Sequence, residues 1–390
     1  MRRLALLGLV CASPVTAQHP VGYSDVAIPN VTSSGSRSLN SRVHYPATVA
    51  GRNAPLLKRT GGWPVFVFLH GLGTAASKYA DLGSYLATRG IIAVLQDTGL
   101  LSFSVQLRDG TALFPSLEAM SKTAGPFQGA FDMKRACVGG HSMGGGNTLG
   151  VLVAQPGYRG GVCLAPVWEP VSAPAVTKPV VILHGQGDLL LWWSLHGKAN
   201  YDALRKFTGL KAFYLFDSTC THNNLARLYS AKASREVWAR SMRVVFGSLR
   251  YWLLDDPAGL EEVVGQTARA EPKLARLRVQ IQQPEHWQTG SGRIGTTRGL
   301  DVIGEPGIGI LFLAAGRGST PTPYGTLELD LATFGHLGAT VVDSSRLWHL
   351  DLPIPNDVRI VGLSISFQGL AMTKMPAQRL TGAVDLKIAR

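Results

Sequence analysis

A chain of 390 residues with 45% hydrophobic and only 16% charged residues can bury a large core, which excludes an intrinsically disordered protein. The formal net charge is +13, but no run of five or six basic residues occurs, so the compact basic stripe that nucleic-acid binding needs is missing. Arg2 and Arg3 precede an apolar run at residues 4–10, and small residues follow at Val15-Thr16-Ala17. This pattern predicts a signal peptide over residues 1–17, cut after Ala17, and a secreted protein in the extracellular space or periplasm. The run is too short to span a bilayer, and no later segment is long enough for an integral membrane helix. Bulky Val10 before Cys11 argues against a lipid-anchor site. Once Cys11 leaves with the signal, Cys137, Cys163 and Cys220 remain, so at least one stays unpaired within the chain. Which two could pair is left open.

Residues 21–46 alternate in polarity and predict an antiparallel hairpin at a sheet edge. Short apolar, β-branched runs follow at 64–69, 91–95, 136–139, 161–166, 179–184 and 211–216. Helical spacing appears at 78–89, 143–153 and 224–254. Continuous apolar strands separated by helices predict an α/β fold, a doubly wound and mostly parallel sheet covered on both faces. This catalytic domain is expected over 18–264, with a linker at 265–277. After that the helix signals fade. Strands are predicted at 279–282, 327–331, 339–342, 347–352 and 361–367, with turns at 316–324 and 353–357. They define a smaller all-β, sandwich-like domain over 278–390.

The sharpest local signal is Gly140-His141-Ser142-Met143-Gly144, a G-x-S-x-G pentapeptide between a strand and a helix. A tight turn there lifts the serine hydroxyl above the sheet, and the amide end of the following helix favours developing negative charge. A nucleophilic serine needs a base, and the base needs an orienting carboxylate. In the chain order Ser, acid, His, Asp188 follows strand 179–184 across Gly185-Gln186-Gly187. His222 follows strand 211–216 through a short polar loop. His44 and His70 precede the nucleophile, His184 lies inside a strand, His196 starts a helix, and His286, His336 and His349 fall in the C-terminal region. His222 alone has both the order and the loop position. His70-Gly71-Leu72-Gly73 after strand 64–69 supplies an oxyanion loop, with the N–H groups of Leu72 and Met143 as donors. Trp168 follows a strand end, and Leu190 and Trp192 follow the acid closely. These three are the candidate substrate-binding residues, suited to an acyl chain or an aromatic ester. No HExxH, clustered Cys/His set or P-loop occurs, so no metal or organic cofactor is expected.

Residues 20–255 resemble the bacterial cutinase and polyester hydrolase group of the α/β-hydrolase superfamily, which includes enzymes acting on polyethylene terephthalate. Gly139-Gly140-His141-Ser142-Met143-Gly144-Gly145-Gly146 is similar to the group's serine motif. Ala165-Pro166-Val167-Trp168 resembles its segment with a substrate-stacking tryptophan, and Thr221-His222 its catalytic histidine segment. The resemblance implies a serine hydrolase of carboxylic esters, polymeric ones included, acting through an acyl-enzyme. The chain departs from the group at Leu72, where the group has an aromatic residue. Its His70-Gly71 instead resembles esterases of the chlorophyllase and platelet-activating-factor acetylhydrolase kind, which implies soluble-ester or lipid-acyl hydrolysis as the alternative. Tyr324-Gly325-Thr326-Leu327 and the 352–357 segment resemble β-rich accessory segments of secreted bacterial proteins, which implies a surface or polymer contact through the C-terminal domain.

Overall fold

The computed structural model describes residues 18–32, 38–228, 232–373 and 379–390. The expected signal peptide and Cys11 lie outside them. Ten strands, numbered in chain order, form the central sheet: β1 (Val21–Pro29), β2 (Ser38–Pro46), β3 (Gly51–Arg52), β4 (Trp63–Leu69), β5 (Ile92–Gln96), β6 (Phe131–His141), β7 (Gly161–Leu164), β8 (Val180–Gly185), β9 (Leu210–Phe216) and β10 (Leu274–Ile281). Their order is β10-β9-β8-β7-β6-β4-β5-β2-β1-β3. The six strands from β5 to β9 run parallel, and β2 joins them antiparallel, with the β1–β2 hairpin at that edge as the alternation requires.

The period of two along each strand sends alternate side chains into two cores. Phe66 and Phe68 of β4 enter a cluster with Leu82 and Leu86 of α1 (Ala80–Ala87) and with Met242 and Leu249 of α5 (Lys232–Leu253). Val65, Val67 and Leu69 enter the other, with Leu113 and Leu117 of α2 (Phe103–Lys122) and Leu149 and Val151 of α3 (Met143–Ala154). Each such fully buried side chain contributes about 1.5–3 kcal/mol of transfer free energy. The same alternation separates the thiols. Cys137 lies in the first cluster and Cys163 in the second; these two and Cys220 are free and buried. The helix α2 escapes the sequence pattern, because Gly110 and Pro115 interrupt its spacing. Two further short helices, α4 (Gly197–Ala203) and α6 (Gln266–Arg269), complete the set of described α-helices.

The expected boundary at 265–277 needs correction. Those residues hold α6 and the start of β10, which pairs antiparallel with β9 from Leu274↔Phe216 to Ile281↔Leu210. The strand read at 279–282 as part of the C-terminal sheets thus closes the central sheet. The reason is apolar: Val279 and Ile281 are buried in the same cluster as Leu210 and Tyr214.

Beyond β10 the chain is all β. One sheet is β11 (Glu285–Gly290), β12 (Thr297–Ile303) and β17 (Leu347–Pro353), in that order. A second runs β16 (Gly335–Val342), β13 (Gly307–Ala314), β18 (Ser364–Thr373) and β19 (Arg379–Leu380), with β20 (Val384–Lys387) also on β18. Leu300 and Val302 from the first sheet meet Leu311, Phe367 and Leu386 from the second. A separate hairpin pairs β14 (Arg317–Thr322), which occupies what the sequence suggested was a turn at 316–324, with β15 (Gly325–Leu329), which overlaps the strand expected at 327–331. The all-β region is bound firmly to the central sheet. Trp287 of β11 is fully buried in the cluster that holds Leu260 and Val263, and its Nε1 donates to Glu261 Oε2 at 2.9 Å. Tyr251 OH donates to Glu285 Oε1 at 2.5 Å.

Candidate active site

Ser142 sits between β6 and α3 at φ 57° and ψ −116°, a conformation that L-residues avoid. The surroundings over-determine it. Its N–H donates to Leu164 O at 2.9 Å, and its carbonyl accepts from Gly146 N–H at 3.1 Å and Val167 N–H at 3.0 Å. The flanking glycines are a packing requirement: a Cβ at Gly140 would run into the Gly144 carbonyl, and one at Gly144 into the Leu69 carbonyl. The spacing of the pentapeptide is therefore set by how closely α3 must cross the end of β4. Gly144 N–H also donates to His70 O at 3.1 Å, tying the elbow to the loop after β4.

Asp188 lies in the turn after β8. Gln186 N–H donates to Phe216 O at 3.0 Å and Gly187 N–H to Cys220 O at 3.0 Å, so the acid turn is fastened to the loop after β9. That loop is shaped by Thr221 N–H donating to Asn224 Oδ1 at 2.8 Å and Asn224 Nδ2 donating to Thr219 O at 3.0 Å. The two loops together aim His222 at the acid: His222 Nδ1–H donates to Asp188 Oδ2 at 2.7 Å. Asp188 Oδ1 accepts from the N–H groups of Leu190 at 3.1 Å and Leu191 at 2.8 Å. Burial pushes the Asp188 carboxyl up, but the hydrogen bonds from His184, His222 and Leu191 N–H outweigh it and hold it well below the usual carboxylate range. An ionised Asp188 fixes the proton of His222 on Nδ1 and leaves Nε2 as the basic nitrogen.

The Ser142 segment meets His222 through the preceding residue. His141 Nε2 donates to the His222 carbonyl at 2.9 Å, and the two imidazole centres stand 4.7 Å apart. Ser142 Oγ makes no hydrogen bond to His222 among the described residues. On the other side, a Cβ built on Gly71 would stand 3.5 Å from Ser142 Cβ, which places the His70–Gly73 loop directly beside Ser142. The amides of Leu72 and Met143, the two expected oxyanion donors, lie on this loop and at the first turn of α3.

Among the expected substrate-binding residues, Leu190 is 70% and Trp192 61% exposed on the loop that carries Asp188. Leu72, on the loop after β4, is likewise exposed, at 54%. Trp168 is half-buried against the second core cluster, and its N–H donates to His196 Nδ1 at 3.0 Å. Trp193 packs inward, its ring 6.5 Å from that of Phe213. Three residues of the site were not singled out from sequence. His184 closes an apolar strand in the sequence, yet its Nε2 lies 3.1 Å from Asp188 Oδ2. In the sequence His141 is only the variable position of the pentapeptide, and Tyr79 only one residue of a helical run. The one available signal for His184 was a single polar residue closing an otherwise apolar strand, four positions before the acid.

Among the described residues, no group of three metal-ligating side chains occurs, and no helix is long and apolar enough to cross a membrane. Comparison with known proteins adds the family. The profile of a family described as PET hydrolase-like matches residues 13–235, more than half of the chain. The chain is 25% identical over 215 residues to a bis(hydroxyethyl) terephthalate hydrolase of Streptomyces coelicolor, covering 55% of this chain and 65% of that one. It is 28% identical over 129 residues to a cutinase of Thermobifida alba, covering 33% and 43%, and 29% identical over 133 residues to a cutinase of Thermobifida fusca, covering 34% and 44%. The matches thus span less than two thirds of these relatives' own lengths. With a family profile over more than half its length and ester hydrolases among its relatives, the chain belongs to the PET hydrolase-like family, in the bacterial cutinase and polyester hydrolase group of the α/β-hydrolase superfamily.

Proposed function

We propose that the chain is a secreted serine esterase on a doubly wound α/β-hydrolase scaffold. Ser142 Oγ attacks the ester carbonyl while His222 Nε2 takes its proton. The N–H groups of Leu72 and Met143 receive the oxyanion of the tetrahedral intermediate. His222 returns the proton to the departing alkoxide, leaving an acyl-enzyme and a free alcohol. Water then repeats the sequence and releases the carboxylic acid, and Asp188 holds the imidazole in its tautomer throughout. No cofactor enters this scheme. The observation that carries it is the 2.7 Å bond from His222 Nδ1 to Asp188, on a histidine whose carbonyl is held by the residue before Ser142.

For the substrate we favour aromatic diesters and polyesters. The relatives' names point there, and the exposed Leu72, Leu190 and Trp192 give the site an apolar rim. The aliphatic Leu72 in the oxyanion loop favours the second reading, a hydrolase of soluble or lipid-acyl esters. The test is hydrolysis of a p-nitrophenyl ester with Ser142→Ala as control, followed by bis(hydroxyethyl) terephthalate, polyester film and long-chain acyl esters. Activity that survives Ser142→Ala would remove the whole proposal. An intact protein inert on every ester would mark the chain as a binding protein on a hydrolase scaffold. We assign the C-terminal region a structural role in place of a polymer contact, because Trp287 and Ile303 complete the core under β9 and β10.

A further inference from the structure

Behind the nucleophile runs a buried chain of hydrogen bonds whose direction can be worked out atom by atom. The His222 carbonyl can only accept, so the nitrogen 2.9 Å from it, His141 Nε2, carries a hydrogen. His141 is fully buried, and burial pulls its pKa down to about 3, so the ring is neutral and Nδ1 is a lone-pair acceptor. The group facing that lone pair is the Tyr79 hydroxyl at 3.1 Å, whose hydrogen is therefore committed to His141. The Tyr79 oxygen in turn accepts from Gly71 N–H at 2.8 Å. Tyr79 is as buried as His141, and its ring is wedged 4.9 Å from that of Phe68 on β4. The order Gly71 N–H, Tyr79 O–H, His141 Nε2–H, His222 C=O admits no reversal.

Each end and the middle of this chain touch a different part of the proposed machinery. Gly71 precedes Leu72, whose amide is an oxyanion donor. His141 precedes Ser142. The far end grips the backbone of His222. We infer that Tyr79 and His141 are positioning residues: one hydrogen-bonded chain sets the oxyanion loop, the nucleophile and the base relative to one another. The inference rests on the serine esterase reading given above. The strained turn at Ser142 fixes the nucleophile locally, but among the described residues no direct hydrogen bond joins the loop after β4 to the loop after β9; besides this chain, the Arg227–Asp81 ion pair at 2.7 Å ties the second loop to α1. Displacements of about 1 Å at a reacting centre cost up to about a hundredfold in rate, so the chain acts on kcat without touching substrate.

The test uses the full chain with Tyr79→Phe, His141→Phe and His141→Gln. The first two keep the ring and delete the hydrogen bonds, whereas glutamine can still donate toward the His222 carbonyl. Tyr79→Phe and His141→Phe should each lower kcat by between about tenfold and a hundredfold with KM within about threefold of wild type. The double variant should be no worse than His141→Phe alone, since both break one chain, and His141→Gln should recover part of the loss. A positioning role has a second readout that mere destabilisation lacks. A boronic acid forms a tetrahedral adduct on the serine with an oxygen in the oxyanion hole, so its Ki relative to substrate KM should rise about tenfold or more in both phenylalanine variants. That ratio does not depend on how much of a preparation is folded, so a poorly folding variant still reports. An unchanged ratio, or wild-type kcat in Tyr79→Phe, would overturn the inference while leaving the esterase reading intact. Loss of that reading shows separately, as activity surviving in Ser142→Ala.

Discussion

His184 Nε2 lies 3.1 Å from Asp188 Oδ2, on the same carboxylate oxygen that accepts from His222 at 2.7 Å. Its nitrogen also stands 2.8 Å from the Leu191 carbonyl, which can only accept, so Nε2 is the protonated nitrogen and donates to both. The acid of the proposed triad is thus held by two imidazoles. His184→Leu should reduce kcat by about tenfold with little change in KM, because the carboxylate loses a donor that fixes its orientation and charge. His184→Gln, which keeps a donor near Nε2, should stand between the two. Steady-state kinetics with a p-nitrophenyl ester decides it, and wild-type kcat in His184→Leu would show the contact to be idle.

Ser142→Ala, His222→Ala and Asp188→Asn should each lose on the order of 10⁴-fold or more in kcat, with secondary structure by circular dichroism unchanged. Combining Ser142→Ala with His222→Ala should cost little beyond Ser142→Ala alone, because the groups act as one unit. A fluorophosphonate should label Ser142 in the wild type, as peptide mapping would show. Additive losses in the double variant would contradict the shared mechanism.

These residues were legible because their chemistry is local. The elbow at Ser142 is a five-residue steric pattern, and the acid and histidine each follow a short apolar strand at a fixed point in the chain order. The parallel sheet was legible because its strands are apolar on both faces. What escaped depended on the partner of a residue, which lies far off in sequence. Tyr79 meets His141 across 62 positions, and nothing in the helix around Tyr79 marks its hydroxyl as special. Helix α2 was passed over because Gly110 and Pro115 break its period, although its packing against α3 overrides both. The sheet that β10 joins is not legible, because strand propensity cannot say which edge a strand will join.

Three buried histidines contribute to the response to acid, beside Asp188, whose lowered carboxyl pKa acts in the same direction at lower pH. Burial lowers His44 to about 4, and His141 and His286 to about 3. Below the unfolded value of about 6.5, the unfolded chain takes up protons that the folded chain refuses, so stability falls as pH falls. The fall ends only below the folded values, and three such groups give a slope of up to about 4 kcal/mol per pH unit. Asp301, raised to about 6 by burial, opposes it between about pH 4 and 6, since there the folded state holds the extra proton. His286 isolates the effect, because neither ring nitrogen has a partner among the described residues. His286→Leu should flatten the acid slope by about one proton, roughly 1.4 kcal/mol per pH unit, without lowering Tm at neutral pH. Urea unfolding at several pH values measures both, and an unchanged slope would show that His286 is already protonated in the folded state.

The central sheet ends where the all-β region begins, and the two are not separable at that point. A chain ending at Gly265 loses β10 and exposes β9, an apolar strand with an unpaired edge, to solvent and to other chains. It also loses Trp287 and Ile303 from the core that holds Leu260, Val263 and Tyr214. Such a truncation should be insoluble or inactive even though every proposed catalytic residue lies before it. Ending instead at residue 282 restores the edge strand but still leaves the space under Trp287 empty. Soluble yield and Tm should therefore rank full length, then residues 18–282, then residues 18–265. In the full chain, Trp287→Ala should cost about 3–5 kcal/mol, the cavity cost of a buried aromatic, and also strand the Glu261 carboxylate that Trp287 Nε1 satisfies. Its kcat on small esters at low temperature should stay close to wild type, because the Trp287 contacts lie outside the triad hydrogen bonds. A soluble and fully active chain ending at Gly265 would show that the catalytic sheet closes without β10.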